Sequence, residues 1–253
     1  LSTWILLRGL TRECRHWGDF PETLQRECSG ATVCCIDLPG NGSLHAQASP
    51  PQVLAMAEHC RTQLGERGID PPYFLLAMSL GAMVAIDWAN RHPAELAGCV
   101  LINTSLRPFS PFYHRLRPRN YPSLLPMLLG QGDASCREKT ILRLTSSQPE
   151  RPEKQAEWAV YARQNPVSPG NAWRQLLAAA RYRAPLHKPA PPMLVLGSAQ
   201  DSLVNPACSR QLARLWNVAF AEHPTAGHDL PLDDGAWVAS QIRCWHEKLS
   251  RTA

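Results

Sequence analysis

The stretch from Tyr73 to Gly81 constrains this chain more than any other. An apolar run, Tyr73 to Met78, reads as a buried strand. A helical segment of small residues, Leu80 to Asn90, begins immediately after it. One residue, Ser79, is left to reverse the chain. A turn that sharp holds its central residue in a strained backbone conformation and lifts the side chain clear of the sheet edge. Strand and helix pass so close that only small residues fit two positions before and two after, and Ala77 and Gly81 stand there. An ordinary N-cap serine is the competing reading, and the pentapeptide alone does not decide between them.

The rest of the chain is read around that turn. Trp4 to Leu7 forms a short buried strand, followed by an Arg8-Gly9-Leu10-Thr11-Arg12-Glu13 loop. Residues His16 to Gln25 read as a helix that Pro21 makes irregular. Thr32 to Ile36 is β-branched and Cys-rich, hence a strand, and ends at the turn cluster Asp37 to Gly42. Ser49 is expected to cap the next helix, with Pro50 in its first turn, and Val53, Leu54, Ala57, Cys60 and Leu64 give that helix one apolar face. Cys99 to Ile102, Met193 to Gly197 and Val218 to Ala221 are further strands. Helices are expected around Ser209 to Trp216 and over Trp237 to Leu249. Strands alternating with helices at this spacing predict an α/β fold, a parallel sheet covered on both faces. The alternation breaks between Arg107 and Pro191, where the signals are helical throughout. The predicted organisation is therefore a core of 1–106 and 191–253 with a helical cap, or lid, over 107–190.

Open parallel sheets place their sites at the C-terminal ends of the strands. Ser79 follows one strand there. Asp201, in Gly197-Ser198-Ala199-Gln200-Asp201, follows a later one, and His228, in Ala226-Gly227-His228-Asp229, follows the last. With this order in view the chain resembles the α/β-hydrolases, the capped serine esterase and lipase branch, over nearly its whole length. Arg8-Gly9-Leu10 stands where many members have His-Gly. Asp37-Leu38-Pro39-Gly40-Asn41-Gly42 is similar to the Asp-x-Pro-Gly-x-Gly turn of that branch. Ala77-Met78-Ser79-Leu80-Gly81 is similar to the nucleophile elbow, with Ala77 in place of the usual glycine. Asp201-Ser202-Leu203-Val204 and Gly227-His228 resemble the acid and histidine loops. The resemblance implies an α/β-hydrolase fold. The two strands that normally begin the family sheet are absent here, so six parallel strands are expected.

The chemistry accounts for these residue types. A serine hydroxyl needs a base to take its proton. His228 is the base the order selects, and Asp201 would fix its tautomer and stabilise the imidazolium. Asn103 and Thr104 occupy the position where some family members carry the acid, and neither is a carboxylate. The resemblance assigns the oxyanion-hole donors to the backbone N–H groups of Leu10 and Leu80, where side-chain identity matters little; Arg8 in place of histidine alters what supports that loop. The implied activity is hydrolysis of a carboxylic ester or thioester through an acyl-enzyme, with no metal and no organic cofactor. Acyl transfer or carbon–carbon bond hydrolysis on the same triad is the alternative, and a non-catalytic small-molecule binder is a third. An elbow serine, not aspartate, argues against a dehalogenase or epoxide hydrolase. Asp229 and Asp233 read as helix-start or surface residues, and His16 as a structural residue at a helix start. Trp158 and Trp173 line a pocket or belong to the core.

Charge sharpens the cap. Residues 107–190 hold 14 Lys and Arg against 5 Asp and Glu, a net of +9, within a chain of net +5. Arg115, Arg117 and Arg119 alternate in one Pro-rich segment. They form either a solvated face or a surface that attracts an anionic substrate, an acidic acyl carrier or a membrane. No nucleic-acid motif is present. The longest apolar runs fall short of a membrane span, and residues 1–10 lack signal-peptide features, although a chain that starts at Leu1 leaves open a removed segment. Nine cysteines without Cys-x-x-Cys or zinc spacing point to a cytoplasmic protein.

Overall fold

The computed structural model describes residues 2–252. Its centre is a six-stranded sheet in the order β2-β1-β3-β4-β5-β6, built from β1 (Thr3–Leu7), β2 (Thr32–Ile36), β3 (Tyr73–Met78), β4 (Leu96–Ile102), β5 (Met193–Ser198) and β6 (Ala219–His223). All five pairings are parallel, as the alternation predicted. A parallel sheet covered on both faces needs strands that are apolar throughout. β3 is buried at every position, whereas the edge strand β6, Ala-Phe-Ala-Glu-His, is half exposed.

Successive side chains of a strand point to opposite faces, and β1 shows how one sequence serves two cores. Trp4 and Leu6 pack with Phe20 and Leu24 of α1 (Phe20–Glu27) and with Val238, Ile242 and Trp245 of α10 (Leu230–Thr252). Ile5 and Leu7 pack on the other face with α2 (Val53–Glu66), α3 (Leu80–Arg91) and α9 (Ala207–Trp216). Between the adjacent strands β4 and β5 the chain makes five helices: α4 (Phe112–Arg115), α5 (Tyr121–Leu128), α6 (Ala134–Thr145), α7 (Pro152–Gln164) and α8 (Pro169–Arg181).

Three local expectations change. Residues Cys14–Trp17 form a short 3-10 turn, and α1 starts separately at Phe20. Pro21 therefore opens that helix, where its missing N–H costs nothing. Ser49 is not a cap: Gln52 is, and the buried Ser49 hydroxyl donates to the Pro39 carbonyl at 2.6 Å. The last helix begins at Leu230, earlier than Trp237, with a kink at Asp234 (φ −152°, ψ 77°) that hid its first turn.

Candidate active site

Ser79 sits between β3 and α3 with φ 55° and ψ −114°. A non-glycine residue there costs on the order of 1–3 kcal/mol and persists only where the surroundings over-determine it. They do so here. The Ser79 N–H donates to the Ile102 carbonyl at 3.0 Å and its carbonyl accepts from Thr104 Oγ1 at 3.1 Å, both at the end of β4. The small-residue requirement is also visible: a Cβ on Gly81 would stand 2.5 Å from the Leu7 carbonyl oxygen. The bend is thus fixed by backbone contact with the neighbouring strand, leaving the half-buried Ser79 at the sheet's C-terminal edge.

Asp201 follows β5 and is 2 % exposed; His228 follows β6 and is 3 % exposed. Asp201 Oδ2 lies 2.7 Å from His228 Nδ1. Its other oxygen accepts the N–H groups of Leu203 and Val204, each at 2.9 Å. A carboxylate so held accepts only, so Nδ1 carries the ring proton and Nε2 keeps its lone pair. Asn103 supplies an anchor. Its Nδ2 donates to the His228 carbonyl at 2.8 Å and to Ser198 Oγ at 2.9 Å, while its Oδ1 accepts from Ser198 N–H at 3.0 Å. One side chain after β4 therefore fixes both the end of β5 and the histidine loop.

Ser79, Leu80, Leu10 and His228 line one cavity of about 1070 Å³. Its other walls come from α4 to α8, with Leu124, Leu128, Ile141 and Leu176 among the apolar lining. Trp173 lines it too and is 43 % exposed, whereas Trp158 is core, with the Arg12 guanidinium 4.7 Å above its ring. Leu10 comes past the serine because Gly9 allows it: a Cβ on Gly9 would lie 3.1 Å from Ser79 Cβ. The α6 and α8 walls are tied to the sheet loops by buried polar groups. Arg12 pairs with Glu138 of α6. Gln175 of α8 accepts the Thr11 N–H at 2.8 Å and donates to Asn41 Oδ1 at 2.7 Å and Ser49 Oγ at 2.9 Å. His16, also in the lining, accepts from Arg12 at Nε2 (3.0 Å). A ring accepting there must carry its proton on Nδ1, so the Glu13 carbonyl at 3.3 Å is the partner of Nδ1, not the nearby Glu13 N–H. Burial, then the charges of Arg12 and Arg8, hold His16 well below the ordinary histidine pKa, hence neutral.

Comparison with known proteins identifies the family. The alpha/beta hydrolase family pattern matches residues 4–241. The chain belongs to that family. Among its relatives is the biotin biosynthesis bifunctional protein BioHC of Cellvibrio japonicus, 29 % identical over 97 % of this chain and 48 % of that protein, so the chain spans about half of it. Another is the pimeloyl-[acyl-carrier protein] methyl ester esterase of Aromatoleum aromaticum, 27 % identical over 88 % of this chain and 90 % of the relative. A solved esterase from Thermogutta terrifontis superposes with a TM-score of 0.74 at 22 % identity, covering 98 % of this chain and 90 % of its own. No helix among the described residues is long and apolar enough to cross a membrane.

Two aspartates at the start of α10, the helix-start position that the sequence suggested, do more than open the helix. Asp229 is not on the surface. It is 2 % exposed and receives a two-pronged contact from the equally buried Arg8, at 3.1 and 2.5 Å. The Arg8 guanidinium lies 4.8 Å above the Trp17 ring and 3.7 Å from Met78 Sδ. It therefore joins the Gly9-Leu10 loop, the residue before Ser79 and the residue after His228. Asp233 is likewise buried at its carboxylate and accepts from the Gly227 N–H (2.7 Å) and Ser146 Oγ (2.5 Å), clamping the histidine loop to the end of α6. Arg8 in the place usually held by histidine was the available signal; nothing near it in sequence named Asp229. Removing one partner strands a buried charge, so Arg8→Met lowers stability by about 3–5 kcal/mol, and replacing both partners by apolar residues costs much less. Urea melts of the two single variants and the double form the cycle; additive losses would mean that the pair is not coupled.

Proposed function

We propose that this hydrolase cleaves a carboxylic ester or thioester through an acyl-enzyme on Ser79. His228 Nε2 takes the serine proton as the hydroxyl attacks the carbonyl, then returns it to the leaving alcohol or thiol. Asp201 holds the ring with Nδ1–H toward itself and stabilises the imidazolium. The N–H groups of Leu10 and Leu80 receive the oxyanion. Water, activated by the same histidine, then releases the acid. The observation that carries the reading is the 2.7 Å contact between Asp201 and His228 beside a cavity that also holds the strained Ser79. Residues 107–190 act as a cap that keeps water from the reacting carbonyl, which strengthens the donors in the hole, and its apolar lining suits a hydrophobic acyl chain.

One of the relatives reported above is named for biotin biosynthesis, and the other for cleaving a methyl ester borne on an acyl-carrier protein. The net +9 of residues 107–190 supports an anionic substrate or an acidic carrier on the cap. A series of acyl esters of graded chain length, run beside a fluorophosphonate probe, tests the proposal. Ester turnover and covalent labelling at Ser79 are expected; labelling that survives in Ser79→Ala would refute it.

A further inference from the structure

One wall of the cavity carries charge that nothing in the described chain neutralises. Arg107, Arg115 and Arg183 all line it. Arg107 and Arg183 are brought side by side by a short parallel bridge, in which the Ala184 N–H donates to the Arg107 carbonyl at 2.8 Å. Arg115 Nη2 donates to the Ala179 carbonyl at 2.6 Å and Nη1 to that of Ala180 at 3.3 Å, so the last turn of α8 holds this guanidinium in place. Among the described residues none of the three has a carboxylate within ion-pair distance. Elsewhere in the same cavity the opposite holds: Arg8 has Asp229 and Arg12 has Glu138.

Arg115 is the most informative of the three. The sequence left it on either a solvated face or an anion-attracting surface of the cap; it lies half-buried in the cavity wall, with Nε buried and without a hydrogen-bond partner. Burial first, and then the neighbouring charge of Arg107, push its pKa down. The C-terminal carbonyls of a helix offset only part of a cation's charge. A desolvated cation beside a second one is a poor arrangement unless an anion joins them. The segment also lies against the acid loop: Asn205 N–H donates to the His114 carbonyl at 2.9 Å and Arg117 N–H to that of Leu203 at 3.1 Å. A single substrate in the cavity can therefore reach both Ser79 and this wall.

We infer that the substrate carries an oxyanion, a carboxylate or a phosphate, remote from its scissile ester, and that Arg107, Arg115 and Arg183 bind it. The inference rests on the esterase reading above. Guanidinium forks match the planar carboxylate and the phosphate, and a set with Arg107 and Arg115 half-buried orients a substrate as well as attracting it. This differs from long-range attraction by the outer cap. Steering by exposed charges fades as the Debye length falls to about 3 Å at 1 M salt, whereas contact within the cavity is screened much less.

The test uses three esters with one scissile bond and one chain length, ending in a carboxylate, a phosphate or a methyl group. The wild-type protein should prefer one of the charged esters over the methyl ester by at least about tenfold in kcat/KM, chiefly through KM, from hydrogen bonds to charged groups. The preferred ester tells carboxylate from phosphate. Arg115→Met should lower the charged-to-neutral ratio about tenfold or more. Arg183→Met, a change at an exposed side chain, should lower it in the same direction should the first variant fold poorly. A wild-type ratio near one, a ratio unchanged in the variants, or a preference that vanishes at 1 M salt would each overturn the inference. If no ester is turned over, the esterase reading fails on its own, and the wall is then judged by thermal shift with glutarate and with glycerol 3-phosphate. Stabilisation of the wild type by either, lost in Arg183→Met, supports it; no stabilisation by either refutes it.

Discussion

Ser79→Ala should abolish measurable ester turnover, with kcat falling about 10⁴- to 10⁶-fold, as when a residue of a unit that works together is removed. KM for the same ester should change little, because the walls of the cavity are untouched. The residual rate reflects whatever the cavity and the oxyanion donors supply without a nucleophile. The substitution also removes only one oxygen from a turn whose shape is set by backbone bonds to Ile102 and Thr104. Thermal melts should therefore stay close to those of the parent chain. A kcat within tenfold of the wild type, measured on a protein of unchanged Tm, would remove Ser79 from the mechanism.

Asp201→Asn is expected to cost about 10⁴-fold in kcat, and the reason is geometric. One Asp201 oxygen is committed to the N–H groups of Leu203 and Val204. An asparagine must keep its carbonyl oxygen there, which turns its NH₂ group toward His228 Nδ1. The ring must then accept at Nδ1 and carry its proton on Nε2, where it can no longer take one from the serine. Removing that backbone constraint in the same variant would allow the amide to flip, so the loss is tied to the N–H groups of residues 203 and 204 as much as to 201. An Asn variant with near-normal kcat, or a structure in which its carbonyl oxygen faces His228, would sink this account.

Much of the core could be read because its strands are short, apolar and separated by good helices. Tyr73 to Met78 is buried on both faces and so shows an unbroken apolar run. The order Ser79, Asp201, His228 was likewise legible, because each follows a recognisable strand. What sequence could not show was pairing across distance. Arg8 and Asp229 stand 221 positions apart, and an aspartate next to a histidine reads the same whether it faces water or a buried arginine. Ser49 illustrates a second limit. A serine before Pro-Pro at the start of an amphipathic run fits an N-cap pattern, yet its hydroxyl and N–H are taken by Pro39 and Asn171. Local propensity lost to tertiary contact there. Arg115 shows the third: charge composition located the basic segment correctly, while the turn of the chain, not its composition, decided that this arginine faces α8.

The buried bonds from Gln175 and Arg12 bear on how such an enzyme can diverge. Cavity walls held by Thr11, Asn41, Ser49 and Arg12 are not interchangeable parts. Swapping α6 or α8 for a foreign helix would strand buried donors and acceptors of the sheet loops, each at about 1–3 kcal/mol. The α5 helix is under less restraint: Tyr121 is 40 % exposed and Leu125 50 %, and the helix lies along the cavity. New substrate ranges are therefore most cheaply reached by rewriting residues 121–129, while the α6 and α8 anchors stay as they are, so substrate preference can drift without disturbing the bonds that hold the cavity together.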